Sequence, residues 1–243
     1  MRQYGLIGFS LTHSFSQKYF TEKFLRDNIN DAEFLNFSIP QIDDVQKIFD
    51  THPQLKGLAV TIPYKKGVIK YLDEANDAVK EISACNCIRI HQNKKEGFNT
   101  DVVGFERSFI KKLNPHHKKA LILGTGGAAS AVKFVLNKLG IEYILVSRNP
   151  SAGIISYTDI TAEILNQYNI IINCTPLGTH PDINEAPPLP YYFFNASCYL
   201  FDLVYNPPLT KFLQYGNEKG CIIQNGYEML TIQAEENWKI WNT

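Results

Sequence analysis

The chain has 243 residues, with 24 Lys plus Arg against 24 Asp plus Glu, so its formal net charge is zero. At 44% hydrophobic and 20% charged residues it reads as an ordinary globular protein, long enough for one large domain or two modest ones. The charge balance and the lack of any long basic run give no support to a nucleic-acid or membrane-surface partner.

Strand and helix signals alternate along the chain, the pattern of an α/β protein with parallel sheets. Residues 4–8 predict a first strand. Phe15, Tyr19, Phe20 and Phe24 recur at helical spacing and predict a helix that begins near Ser14. A second strand fits residues 34–39, a helix 42–49, and a third strand 57–62, ended by Pro63. Residues 87–91 and 96–99 predict a hairpin across a loop at 92–95, and 102–113 a helix stopped by Asn114-Pro115. A new βαβ series then starts: strand 120–123, helix 128–138, strand 142–146. Three more short apolar strands fit 170–172, 199–203 and 221–223. Residues 181–190 read as a proline-rich surface loop. The last helix begins after Asn225-Gly226, with Leu230, Ala234, Trp238 and Trp241 as its apolar stripe. A domain boundary is expected near residue 102, with the final helix free to fold back onto the first domain.

The five cysteines (Cys85, Cys87, Cys174, Cys198, Cys221) are odd in number and lack CxxC spacing, and the six histidines show no ligand spacing. Neither a disulfide framework nor a bound metal is therefore expected. Cys85 and Cys87 read as small buried thiols. The N-terminal apolar stretch is too short for a signal peptide and no later run spans a bilayer, so a cytoplasmic location is the expectation.

Gly124-Thr125-Gly126-Gly127-Ala128-Ala129 follows a predicted strand and opens a predicted helix, the context in which a GxGxxG/A match signals a dinucleotide. Gly124 permits a tight turn, Gly126 lets backbone approach a pyrophosphate, and Ala129 allows close helix–strand packing. The helix N-terminus then favours the phosphates. The next strand ends in Ser147-Arg148, where an NAD site usually carries Asp or Glu on the ribose hydroxyl. A guanidinium there suits a 2′-phosphate, which points to NADP, although Arg148 taken alone also reads as a solvated strand-end charge.

Near the start, Ser14 and Ser16 place two hydroxyls where a strand passes into a helix, a ready carboxylate site; Ser14 by itself reads as a plain N-cap. His13, with no specific partner in view, reads as structural. Thr61 and Lys65 fall at the carboxyl tip of the third strand, where ligand crevices of open α/β sheets form. Lys65 alone is either a solvated charge or an acid/base group, and Asp101 alone is anonymous. From these residues the reading stops at a reductase of unknown substrate.

The order of the motifs resembles the shikimate dehydrogenase family from end to end. Ser14-Phe15-Ser16 matches its SxS element, and Val60-Thr61-Ile62-Pro63-Tyr64-Lys65 its VTxPxK segment. Asn86 keeps the asparagine of its GAVNT element, and Asn99-Thr100-Asp101-Val102-Val103-Gly104 matches NTDxxG. The glycine-rich loop follows, then Asn173-Cys174-Thr175-Pro176-Leu177-Gly178 (NATPLG) and Asp202-Leu203-Val204-Tyr205-Asn206-Pro207 (DxVYxP). Asn225-Gly226-Tyr227-Glu228-Met229-Leu230 with Gln233-Ala234 resembles the closing NGxxML…QA segment.

The resemblance implies a two-domain α/β fold. Residues 1–101 would form an N-terminal substrate-binding and catalytic domain, joined by the C-terminal helix 226–243, and 102–225 a Rossmann-type NADP-binding domain. It implies reversible NADPH-dependent reduction of 3-dehydroshikimate to shikimate, with Lys65 and Asp101 as the catalytic pair. Ser14, Ser16 and Tyr205 would hold the substrate carboxylate, and Thr61, Asn86 and Gln233 the ring hydroxyls. Gly124, Gly126, Gly127 and Ala128 would hold the pyrophosphate, Ser147 and Arg148 the 2′-phosphate, and Gly226 and Met229 would flank the nicotinamide. Ser147-Arg148-Asn149 departs from the family's usual Asn-Arg-Thr, with no second basic residue close behind, so Arg148 carries the phosphate almost alone. A monomer or homodimer is expected. The competing readings are a quinate/shikimate dehydrogenase using NAD and a non-catalytic dinucleotide-binding sensor; the presence of both Lys65 and Asp101 speaks against the sensor.

Overall fold

A computed structural model describes residues 1–11 and 14–243; the reading of His13 as structural lies outside the described residues. The chain divides into two units, Met1–Thr100 with Gln233–Thr243, and Asp101–Ile232.

In the first unit, β1 (Arg2–Gly8) runs parallel to β2 (Ala32–Ser38) and β3 (Leu55–Val60). The intervening α1 (Phe15–Arg26) starts where Ser14, in extended conformation, accepts the Gln17 N–H on its side-chain oxygen at 3.0 Å. Its periodic aromatics Phe20 and Phe24 are buried against Tyr4, Phe34 and Trp241. The helix expected at 42–49 begins as a 3₁₀ turn, Ile42–Asp44, and only then becomes α2 (Val45–Thr51). β3 ends two residues earlier than the apolar run suggests, because Thr61 already accepts the Tyr64 N–H in a turn.

A short β4 (Glu74–Ala75) and α3 (Asp77–Ile82) lead to the hairpin of β5 (Cys87–His91) and β6 (Lys94–Phe98). Its loop has two residues, not the four expected: Gln92 and Asn93 both take positive φ, 48° and 63°, the conformation that a two-residue hairpin turn demands. Lys94 and Lys95 are therefore strand residues. The sheet order is β2-β1-β3-β5-β6-β4. α4 (Thr100–Phe109) leads out of this unit and tightens into a 3₁₀ turn at Ile110–Lys112, within the stretch expected to be helical.

The second unit holds β7 (Lys119–Leu123), α5 (Gly127–Lys138), β8 (Glu142–Val146), β9 (Ile154–Ile155), α6 (Ala162–Gln167), β10 (Ile170–Asn173), β11 (Tyr199–Asp202), α7 (Lys211–Glu218) and β12 (Ile222–Gln224). All its strand pairs are parallel, in the order β12-β11-β10-β7-β8-β9. This is the doubly wound Rossmann order, which reverses direction between β7 and β10. Buried on both faces, the central strands are continuous apolar runs such as Ile170-Ile171-Ile172. The proline-rich loop is less superficial than expected, since Leu189 is buried in this unit's core.

α8 (Tyr227–Trp241) brings the chain's end back to the first unit. Trp241 lies so close to Gly57 that a Cβ there would stand 2.2 Å from its ring, and it stacks on Tyr4 at 5.3 Å. Among the described residues, no helix is long and apolar enough to cross a membrane.

Candidate functional site

In the first unit Thr61, Lys65 and Asn86 lie at one edge of the sheet, beyond the carboxyl ends of β1 and β3. β1 and β3 are parallel and end at Gly8 and Val60. β5 runs opposite to β3, so the residue that precedes it, Asn86, lies at the same edge: its carbonyl accepts the Val60 N–H at 2.8 Å. Thr61 follows β3 and is held by Ile7 O at 2.9 Å. The next turn is pinned from both sides of Lys65. The buried Tyr64 hydroxyl donates to Ile39 O at 2.5 Å, and Lys65 O accepts the Cys85 N–H at 2.7 Å. The Lys65 backbone is thus fixed while its side chain is only half-buried.

Asn86 and Gln233 meet in a buried polar network. Asn86 Oδ1 accepts the Thr100 N–H at 2.6 Å, while Asn86 Nδ2 donates to Gln233 Oε1 at 3.3 Å. The Thr100 hydroxyl donates to Asn237 Oδ1 at 2.6 Å, and Asn237 Nδ2 approaches Gln233 Oε1 at 3.5 Å. With Oε1 turned into this network, the Nε2 protons are what Gln233 offers to a ligand oxygen. Asp101 is the residue after Thr100 and the second of α4, so the network fixes the chain at its neighbour. Ser14 and Ser16, half-buried, bracket the start of α1, whose first turn has no acidic residue to repel an anion.

The second unit places the glycine-rich loop at its switch point. Gly124 follows β7 with φ +98° and packs against Thr175, beyond β10: a Cβ on Gly124 would lie 3.0 Å from the Thr175 methyl. Gly126 caps α5, and at Gly126 and Gly127 an added Cβ would meet nothing within 4 Å. The backbone there is exposed, Ala128 with it, while Ala129 is buried against the sheet. Ser147 and the exposed Arg148 follow β8, with Ser147 Oγ accepting the Asn149 N–H at 3.2 Å. Gly124, Gly126, Ser147 and Arg148 share a cavity of about 330 Å³ with Tyr157 and Thr175. Bare backbone at a helix N-terminus beside a guanidinium, with no carboxylate among the described residues of the lining, fits a dinucleotide bearing a 2′-phosphate.

Tyr205 stands half-buried in the loop after β11, where burial raises its phenol pKa. Gly226 precedes α8 and donates its N–H to Val204 O at 3.1 Å; a Cβ there would lie 2.2 Å from Leu203 O, so only glycine fits. Met229, two residues into α8, is buried. Of the residues expected at the cofactor, Gly127, Ala128, Gly226 and Met229 do not line the 330 Å³ cavity.

Several contributors were not singled out from the sequence. Thr100 and Asn237 complete the Asn86–Gln233 network; Asn237 is four residues after Gln233, a spacing that places both on one helix face. Thr175 and Tyr157 line the cavity. Thr175 sits within a quoted motif, whereas nothing local marks Tyr157.

The sequence profile described as the shikimate dehydrogenase substrate binding domain matches residues 6–88. A shikimate dehydrogenase (NADP(+)) of Caldicellulosiruptor saccharolyticus is 32% identical, over 99% of this chain and 92% of its own length. The crystal structure of shikimate dehydrogenase from Aquifex aeolicus superposes with a TM-score of 0.86 at 31% identity, covering 100% of this chain and 92% of that one. The Thermus thermophilus shikimate 5-dehydrogenase, solved with NADP(H) and shikimate, gives 0.87 at 25% identity, covering 99% and 93%. With likeness of this extent along both units, the chain belongs to the shikimate dehydrogenase family.

Proposed function

We propose that the protein catalyses the reversible NADPH-dependent reduction of 3-dehydroshikimate to shikimate. The observation that carries this reading is the 32% identity, over 99% of the chain, to a relative named for that NADP-dependent activity. Neither the NAD-dependent quinate reading nor the sensor is favoured by it.

In this reading Met1–Thr100 with the C-terminal segment binds the substrate and Asp101–Ile232 the cofactor. Ser14 and Ser16, at the positive end of the α1 dipole, hold the substrate carboxylate together with the Tyr205 hydroxyl. Thr61, Asn86 and Gln233 take the ring hydroxyls, with the amides already oriented by Thr100 and Asn237. When bound, NADPH supplies the hydride that reduces the carbon bearing the 3-oxygen. Negative charge then develops on that oxygen. The Lys65 ammonium stabilises it and donates the proton, and the Asp101 carboxylate orients the lysine and the neighbouring hydroxyl. Gly124, Gly126, Gly127 and Ala128 cradle the pyrophosphate, Ser147 and Arg148 the 2′-phosphate, and Gly226 and Met229 flank the nicotinamide. The protein works in the cytoplasm as a monomer or homodimer.

The test is the absorbance of reduced nicotinamide with purified protein, shikimate, and NADP⁺ or NAD⁺ in parallel. Strong NADP⁺-dependent reduction is the expected result. A preference for NAD⁺ would overturn the role of Arg148, and silence with shikimate and quinate alike would overturn the activity.

A further inference from the structure

Asp202 ends β11 with a side chain fully shielded from solvent, and no step of the reaction above uses it. Its carboxylate is a branching point. Oδ1 accepts from Asn173 Nδ2 at 2.9 Å and from the Val204 N–H at 3.0 Å; Oδ2 accepts the Thr210 hydroxyl at 2.5 Å. Each Oδ1 contact continues toward the cofactor side of the sheet. Asn173 Oδ1 accepts both the N–H and the hydroxyl of Thr175, at 3.0 and 2.6 Å, and the Thr175 methyl is the surface on which Gly124 rests. Val204 O accepts the Gly226 N–H at 3.1 Å. One buried group thereby ties the loop after β10 to the loop after β11 and to the start of α8.

We propose that Asp202 is a positioning residue for the cofactor, setting through Asn173 and Val204 the loops that carry Thr175 and Gly226. The proposal rests on the NADP reading above. Burying a carboxylate costs free energy that a purely apolar strand end avoids, and the three donated hydrogen bonds offset that cost. Burial still prevails over those bonds, since the carboxyl pKa is pushed up to about 6. A group kept at that cost, with its accepting oxygen shared between two ligand-facing loops, fixes loop geometry more exactly than packing alone does. The role requires an acceptor at Oδ1 and not a charge. Asparagine supplies that acceptor, and the Thr210 hydroxyl turns to accept from the new amide.

The experiment measures NADP⁺ affinity by calorimetry, with steady-state kinetics in parallel, for the full-length protein and for Asp202→Ala, Asp202→Asn and Asn173→Ala. Expected are at least about tenfold weaker NADP⁺ binding and a matching rise in its KM for the two alanine variants. Shikimate KM and kcat at saturating NADP⁺ stay within a few-fold, and Asp202→Asn binds within about threefold of wild type. Asn173→Ala cuts only the Thr175 arm, so it reads the proposal even where Asp202→Ala does not fold. Folded alanine variants with wild-type NADP⁺ affinity would overturn the positioning role and leave the enzyme reading standing. Loss in Asp202→Asn as deep as in Asp202→Ala would overturn the claim that acceptor geometry is what matters. Wild-type protein that binds no NADP⁺ would overturn both this proposal and the reading beneath it.

Discussion

Asn86 donates to Gln233 across 147 positions of sequence, the Nδ2–Oε1 distance being 3.3 Å. The bond fixes each amide's remaining valence. Asn86 Oδ1 is taken by Thr100, and Gln233 Oε1 by Asn86, so both side chains present N–H donors to a ligand. Gln233→Ala removes such a donor without orphaning backbone. A lost hydrogen bond to a bound hydroxyl is worth about 0.5–1.5 kcal/mol, a rise of roughly two- to twelvefold in shikimate KM. The NADP⁺ KM should stay put. Asn86→Ala should cost more, because it also strands the buried Thr100 N–H. Initial-rate kinetics on both variants check this, and an unchanged shikimate KM in Gln233→Ala would detach that residue from the substrate.

Lys65 has a pinned backbone and a half-buried side chain, so its ammonium is presented from a fixed point of the chain without being buried in the core. Lys65→Ala should therefore lower turnover at least about a hundredfold, the scale of a positioned acid/base group, with little change in thermal midpoint. Near-normal turnover would remove Lys65 from the chemistry.

Legibility from sequence followed the range of the interaction that fixed each element. Strand β8 and the start of α1 were readable because a short apolar run and a serine cap are local signals. The 92–95 loop was misread because Lys94 and Lys95 look like turn residues, whereas positive φ at Gln92 and Asn93 is what closes the hairpin. Short α6 and α7 went unnamed: six and eight residues show too few repeats of a period for a pattern to stand out. At the site, motif order marked Asn86 and Lys65 as candidates, and the strand end after the glycine-rich loop marked Arg148. The partners that orient them depend on tertiary closure, as when α8 returns Asn237 to Thr100. Asp202 was visible as a motif letter, but its double use of Oδ1 exists only in three dimensions.

Among the described residues, Arg148 is the one basic residue in the lining of the 330 Å³ cavity, and no carboxylate lines it. A charge-assisted hydrogen bond contributes about 1.5–3 kcal/mol, so Arg148→Ala should weaken NADP⁺ by roughly ten- to a hundredfold and leave NAD⁺ nearly unchanged. Parallel KM measurements with both cofactors decide it. Equal losses for the two would mean that Arg148 does not read the 2′-phosphate.

His117 carries a pH dependence of stability whose sign follows from its bonds. The ring is buried; Nδ1 accepts the Asn114 N–H at 2.9 Å, which leaves the neutral ring's proton on Nε2, facing Ser197 O at 3.0 Å. A second proton would have to displace the Asn114 bond. Burial, with the neighbouring His116 adding to it, lowers the His117 pKa below its ordinary value of 6.5. Below that pH the unfolded chain binds a proton that the native state refuses, so stability is full above about 6.5 and declines as pH falls. Asp202 acts oppositely: its carboxyl, raised to about 6, takes a proton in the native state first, which adds stability as pH falls toward 4. The wild-type profile mixes these two with carboxylates such as Asp27 and Asp31, whose pKa values their hydrogen-bonded arginines lower, so the readout is the difference between wild type and His117→Asn in denaturant unfolding at pH 7.5 and 5.0. Asparagine keeps an acceptor for Asn114 but does not titrate. The wild-type advantage should shrink on going to pH 5.0, and an advantage that held constant or grew would mean that His117 does not resist protonation in the native state.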